Sequence, residues 1–388
     1  DLVSVCIPVL NGREFILDCL KSISLQNYDF IEVLISDDGS KDNSVEYIKN
    51  VYNELDISFP LRIFYNKGLG ISGNCNYLAR KANGKFIKFL FQDDTIEPNF
   101  ISEHIKQINN FENISFSFSN RRILNESDNK TCHDIENGCS SLQSHWTIIK
   151  SIQSGMDLLE DPRLLIPPYN KIGEPSNVIV LRDKFLDVGG FDNKLQHLLD
   201  LDLWFRLMTC GNVVFIDKQL STFRLHEKQA SVRNINSDLI GTETVKLLRK
   251  FLEDNQYREL SSKFKCNVVQ ELIRVIKGDR IPRKDFISIS RVCDKLKEEI
   301  DSNLKQITYN KALIQKQEKN INLLRLKNDK QKQQNDKQKQ QNDQQKQQND
   351  QQQKILSKKI ERISFMESTY VWNFRRKYMK FYYLYKFL

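Results

Sequence analysis

Two neighbouring carboxylates, Asp93 and Asp94, close the stretch FLFQDDTIEP at residues 89–98, directly after an apolar run. Like charges this close raise each other's pKa unless something positive faces them. The pair is therefore either solvated in a loop or holds a cation, and hard divalent cations take carboxylate oxygens. Asp37 and Asp38 in ISDDGS form a second adjacent pair, and Asp200 and Asp202 stand two apart in LLDLDLW. The last two have two readings. Both suit the first turn of a helix, where the macrodipole favours negative charge, and Asp200, at the very start, is also placed to point into a cleft.

The elements that must position these acids follow from periodicity. LVSVCIPVL, IEVLIS, LRIFY and KFIKFLF are short apolar runs rich in β-branched and aromatic residues. Between them lie segments with helical spacing, Ile16, Leu17, Leu20 and Ile23 in one and Val45, Ile48 and Val51 in the next. Strands apolar on both faces, alternating with amphipathic helices, predict a Rossmann-like α/β fold with a mostly parallel sheet covered by helices. Ligands of such sheets bind at the carboxyl ends of the strands. Asn11 and Gly12, Asp37 to Ser40, Asn66, and Gln92 to Asp94 all follow strands, so two acidic pairs converge on one cleft. A second block, about 173–232, contains a helix starting near Asp200 and a strand-like run before His226. Residues 233–299 read as a helical packing region.

Composition narrows the alternatives. The 388 residues carry a net charge of +9 and 39% hydrophobic side chains, with a pI near 8.9 and a mean hydropathy of -0.53. This suits a globular part diluted by a very polar one. The eight cysteines are scattered without a CxxC pair, which points to reduced thiols in a cytoplasmic protein and away from a zinc site or disulfide framework. No apolar run is long enough to span a bilayer, and the strand-like start is unlike a signal peptide.

The polar part is periodic. Ile300, Ile307, Ile314 and Ile321, then Asn328, Asn335, Asn342 and Asn349, then Leu356, Ile363 and Tyr370 keep a seven-residue register. Over 300–370 this predicts a long coiled-coil-like helix and a homodimer, or, because 327–354 holds no apolar side chain, a solvated spacer. The tail from 371 to 388, WNFRRKYMKFYYLYKFL after Val371, mixes aromatics with bases and has no acid. It is expected to lie on the inner face of an anionic membrane as a peripheral anchor. Stacking on single-stranded nucleic acid and docking on the rest of the chain are the alternatives. Nothing else in the chain suggests a nucleic-acid partner.

SVCIPVLNG, ISDDGSKDNS, NKGLGISGNCN, FLFQDDTIEP, GEPSNV, VGGFD, LDLDLWFRL and FRLHEKQAS, in this order over residues 2–232, resemble the inverting nucleotide-sugar glycosyltransferases of family 2, which have the GT-A fold. The resemblance implies transfer of a sugar from a nucleoside-diphosphate donor to a hydroxyl of a surface polysaccharide or lipid-linked glycan. It implies a divalent metal, Mn²⁺ or Mg²⁺, with Asp94 and His226 as its residues, His226 closing on the diphosphate. Asp200 maps onto the general base, with Asp202 as the alternative. Pro8, Leu10, Asn11, Asp38, Asn74, Asp93 and Arg224 map onto the donor pocket, Asp38 facing the base and Arg224 the phosphate. Ser40 is expected to cap the helix after ISDDGS. The sequence departs from the pattern at Gln92 and Leu199, where the family often has acids. Residues 131–172 are expected to hold the acceptor. Two other functions compete, a sugar-nucleotide nucleotidyltransferase and a non-catalytic nucleotide-binding scaffold. VLNGREFI lacks the Gly-rich basic loop of the first, and the acids at 38, 94 and 200 speak against the second.

Overall fold

A computed structural model describes residues 1–235 and 239–278, with scattered positions between 315 and 361. The rest of the heptad segment and the tail, and with them the coiled-coil, homodimer and membrane-anchor expectations, lie outside the described residues. Among the described residues no helix is long and apolar enough to cross a membrane.

The chain begins with β1 (Val3–Val9), α1 (Ile16–Ser24), β2 (Ile31–Asp37), α2 (Ser44–Glu54), β3 (Leu61–Tyr65), α3 (Gly70–Lys81) and β4 (Phe86–Phe89). There follow β5 (Thr95–Ile96), α4 (Phe100–Ile108), β6 (Ile114–Asn125), α5 (Lys130–Cys139), β7 (Ile152–Ser154) and α6 (Gly155–Leu159). The last described part holds β8 (Val178–Leu181), α7 (Arg182–Asp187), α8 (Leu199–Met208), β9 (Asn212–Leu225), α9 (Ala230–Ile235), α10 (Leu239–Glu253) and α11 (Ser262–Gly278).

The described strands form one nine-stranded sheet in the order β3-β2-β1-β4-β8-β6-β9-β5, with β7 paired to β9. β3, β2, β1 and β4 are parallel, and β8 runs antiparallel between β4 and β6. β6 and β9 pair in parallel. β1 and β2 are buried at every position, as strands covered on both faces must be. Glu32, a charge inside β2, is tolerated because Ser4 Oγ, the Asn83 N–H and Arg62 donate to it at 2.6, 2.6 and 2.8 Å. The α1 residues Ile16, Cys19, Leu20 and Ile23 supply the face packed on the sheet. Because the chain leaves β1 toward β2 and β3 and returns to β4 on the other side, a crevice opens at the carboxyl ends of β1 and β4.

α10 and α11 belong to the same unit as the sheet, Asp1–Arg280. Phe251 of α10 anchors the pair, with ring centroids 5.1 Å from Phe205 of α8, 4.8 Å from Tyr257 and 5.3 Å from Phe264.

Candidate functional site

At the crevice, the loop after β1 is fastened to the loop after β4 by Gln92. Its Oε1 accepts the Leu10 N–H at 3.0 Å and its Nε2 donates to the Leu10 carbonyl at 3.2 Å. An acid at this position could only accept. Gly12 lets the amide come so close, since a Cβ there would lie 2.3 Å from Gln92 Oε1. Gly12→Ala should therefore displace Gln92, break both bonds and cost about 1–3 kcal/mol. In a Gln92→Ala background the same substitution should cost almost nothing, and a denaturant double-mutant cycle measures the difference.

Pro8 is buried beside Ser36 in the β1–β2 register, and Leu10 is half exposed at the rim. Asn11 takes a left-handed turn (φ 52°), its side chain accepting from the Lys41 N–H at 2.8 Å. Ser40 accepts the Asn11 N–H at 2.8 Å and does not cap α2, correcting that expectation. The residue at the cap position is Asn43, three residues on, itself in a left-handed conformation.

Asp38 is buried, and its two oxygens accept the N–H groups of Leu69 and Gly70, each at 2.8 Å, where α3 begins. Each oxygen keeps a second lone pair, so a nucleobase N–H would bind an already oriented carboxylate. Asn74 is also buried. Its amide donates to the Ser36 carbonyl at 2.8 Å, and its Oδ1 has no hydrogen-bond partner among the described residues.

Asp93 and Asp94 have separate environments. Asp93 stays partly accessible, with Oδ2 3.2 Å from His226 Nε2, and the His226 ring lies on Phe15 at 4.3 Å. Asp94 is buried. Its Oδ1 accepts the Arg224 N–H at 3.1 Å and the Ser176 hydroxyl is near enough to favour its charged form, while Oδ2 makes no hydrogen bond of ordinary geometry among the described residues. Burial, and next the charge of Asp93, push the Asp94 carboxyl well above the usual carboxylate range. Lys88, buried in β4, faces the same charge. Burial holds its ammonium well below the usual lysine range, against the pull of Asp94.

Arg224, expected at the phosphate, is held among protein groups in this structure. Its guanidinium donates to Glu126 at 2.8 Å, to Asp18 at 2.7 Å and to the Asp93 carbonyl at 3.0 Å. Two carboxylates already neutralise it, so it positions the acidic pair.

Asp200 opens α8. Its Oδ1 accepts the Leu201 N–H at 2.7 Å and its Oδ2 accepts from Asn170 at 2.9 Å. Burial is the main reason its carboxyl rises to about 7, and the charge of Glu174 adds to the rise. Asp202 is a correction to the alternative assignment. It is fully buried, Arg206 donating twice to Oδ2 at 2.9 and 2.6 Å and Lys250 to Oδ1 at 2.6 Å. A carboxylate enclosed by two cations cannot reach an acceptor hydroxyl. Its role is to hold α8 to α10.

Glu174 links the two sides of the crevice. Its field bears on both Asp94 and Asp200, and it pairs with the buried Arg121. Sequence reasoning gave no role to Glu174, Asn170, Asp18 or Glu126 individually, because their partners lie far along the chain. Gln92 was visible as a departure from an acidic pattern, and its two-way amide is the reason. Among the described residues, no group of three or more His, Cys, Asp and Glu side chains forms a ready metal cage. What fits a cation is a smaller set of hard oxygens, the partly accessible Asp93 and the buried Asp94 Oδ2. A divalent ion held by one or two carboxylates completes its shell from substrate phosphates and water.

An α/β domain with a topological switch at the ends of β1 and β4 and carboxylates beside it has the GT-A architecture. TarS of Staphylococcus aureus, residues 1–349, solved with UDP-GlcNAc, shares this fold with a TM-score of 0.53 and 15% identity, over 72% of this chain and 73% of that one. The family model described as "Glycosyl transferase family 2" matches residues 4–156. The protein of Mycobacterium tuberculosis named "Uncharacterized protein MT1568" is 30% identical over 226 residues, 58% of this chain and 67% of that protein. An uncharacterized glycosyltransferase of Rickettsia felis is 27% identical over 238 residues, 61% of this chain but 36% of its own length. The chain thus spans only about a third of some of the relatives it matches. It belongs to glycosyl transferase family 2, a family of transferases.

Proposed function

We propose that this chain moves a sugar from a nucleoside-diphosphate donor to a glycan hydroxyl by a single displacement that inverts the sugar carbon. The observation that carries the proposal is the Asp200 carboxyl, raised to about 7 and sharing the field of Glu174 with Asp94. A proton acceptor tuned near neutrality and one member of the acidic pair thus feel the charge of the same carboxylate. Asp200 takes the proton of the acceptor hydroxyl as the oxygen attacks the sugar carbon, and the diphosphate leaves with its bonding electrons. Asn170 and the Leu201 N–H orient the accepting carboxylate. Asn170 lies in the segment 131–172, which suits entry of the acceptor from that side.

Asp93 and Asp94 are the residues that would hold a divalent cation, with His226 orienting Asp93. Such an ion supplies positive charge to the leaving diphosphate. Asp38 and the wall formed by Pro8, Leu10 and Asn11 suit the nucleoside, with Asn74 holding α3 against β2 behind them.

UDP and UDP-GlcNAc, held by the TarS structures, are the first probes, and GDP is the comparison. A nucleotide that binds should raise the melting temperature with Mn²⁺ and not without it. At a hundredfold excess over Kd the gain is about 2.7 kcal/mol. Equal stabilisation in EDTA would remove the cation role from Asp93 and Asp94. UDP release that depends on an added glycan acceptor would then report the transfer itself.

A further inference from the structure

We propose that the helical pair α10–α11 sets the position of the Asp200 carboxylate by gripping the two segments that hold it, so that Glu243, Tyr169 and Glu271 are positioning residues for the transfer. The proposal rests on Asp200 being the proton acceptor. Asp200 has two hydrogen-bond donors, Asn170 and the Leu201 N–H. Each donor sits on a segment tied to a different helix of the pair.

The first tie is Glu243 of α10, fully buried. One oxygen accepts the Gln196 N–H at 2.7 Å, and the other accepts those of His197 and Leu198 at 2.9 Å each. These groups directly precede α8, whose cap residue Leu198 has no capping side chain of its own. A carboxylate from a distant helix thus does the capping. Burying that charge is costly unless it is fully bonded, and among the described residues it is bonded to the approach to Asp200. Lys250, two turns further along α10, adds bonds of 2.7 Å to Asp192 and 2.6 Å to Asp202.

The second tie is Tyr169, the neighbour of Asn170. Its hydroxyl donates to Glu271 of α11, and Arg274 donates to the same hydroxyl at 3.1 Å. Apolar packing around Phe251 would suffice to attach the two helices. Beyond that packing and the Lys250 pairs, Glu243 and Glu271 tie the two helices to the segments that support one carboxylate. The charge of Glu174, already paired with Arg121, also raises Asp200.

The test uses the full chain with Tyr169→Phe, Glu271→Gln and Glu243→Gln, and Arg249→Ala as a control on the exposed side of α10. The Asp200 carboxyl is followed by ¹³C NMR, its resonance assigned by its loss in Asp200→Asn. Tyr169→Phe keeps the ring volume and should fold even if Glu243→Gln does not. In the folded variants water reaches the loosened carboxyl, and its midpoint should fall from about 7 toward the ordinary carboxylate range. Turnover should drop by about tenfold to a hundredfold with donor KM unchanged, while the control stays at the parent rate. A folded Tyr169→Phe whose Asp200 titration is unmoved overturns the proposal. A moved titration with unchanged turnover upholds the positioning of the carboxylate and removes Asp200 from the chemistry.

Discussion

Asp200→Asn should lower turnover by about 10²–10⁴-fold, the usual worth of a positioned general base. The amide can still accept the Leu201 N–H, so the start of α8 should keep its shape. In the parent protein the carboxylate is the active form. With its midpoint raised to about 7, activity should fall tenfold per pH unit below that point, and the residual rate of Asp200→Asn should lack this limb. Stability has the opposite sign. A carboxyl raised from an ordinary 3.8 to about 7 favours the fold fully below pH 3.8, and that contribution is lost as pH rises through 7. Asp200→Asn should therefore gain in melting temperature over the parent as pH goes from 5 to 8.5. A variant that turns over at the parent rate would end the assignment of the base.

Asp202→Asn, two residues on, should behave in reverse. Its parent carboxylate is enclosed by Arg206 and Lys250, and removing one partner of a buried ionic group costs about 3–5 kcal/mol. Lys250 keeps Asp192, but Arg206 keeps only the Val188 carbonyl at 2.6 Å. The urea midpoint should drop sharply, while turnover per folded molecule at low temperature stays within a few-fold of the parent. Loss of turnover at unchanged stability would exchange the roles of the two acids.

These two aspartates also show how far the sequence is legible. Both fit a helix start, and spacing could not separate them, because what separates them is the identity of distant partners. Asp202 meets Lys250 across 48 positions, and Asp200 meets Asn170 across 30. The strands were readable because β1 and β2 are covered on both faces, so that β-branched and other apolar residues outnumber polar ones such as Ser4 and Glu32. The acidic pairs were readable because they stand at the ends of β2 and β4. Arg224 looked like a phosphate contact since it sits at the right edge. Its actual partner Asp18 lies 206 positions away, a pairing that no local pattern encodes. Ser40 was misplaced as a cap for the opposite reason, since a nearby backbone N–H, that of Asn11, competes for its hydroxyl.

Arg224 joins α1, the stretch after β6, the turn carrying Asp93 and Asp94, and the end of β9, by one side chain and its own N–H. The first two lie far apart in the chain. Their mutual spacing is therefore settled by the fold itself, and the floor of the crevice is preorganised like a vice already tightened. Motion needed for entry and release must come from the rim.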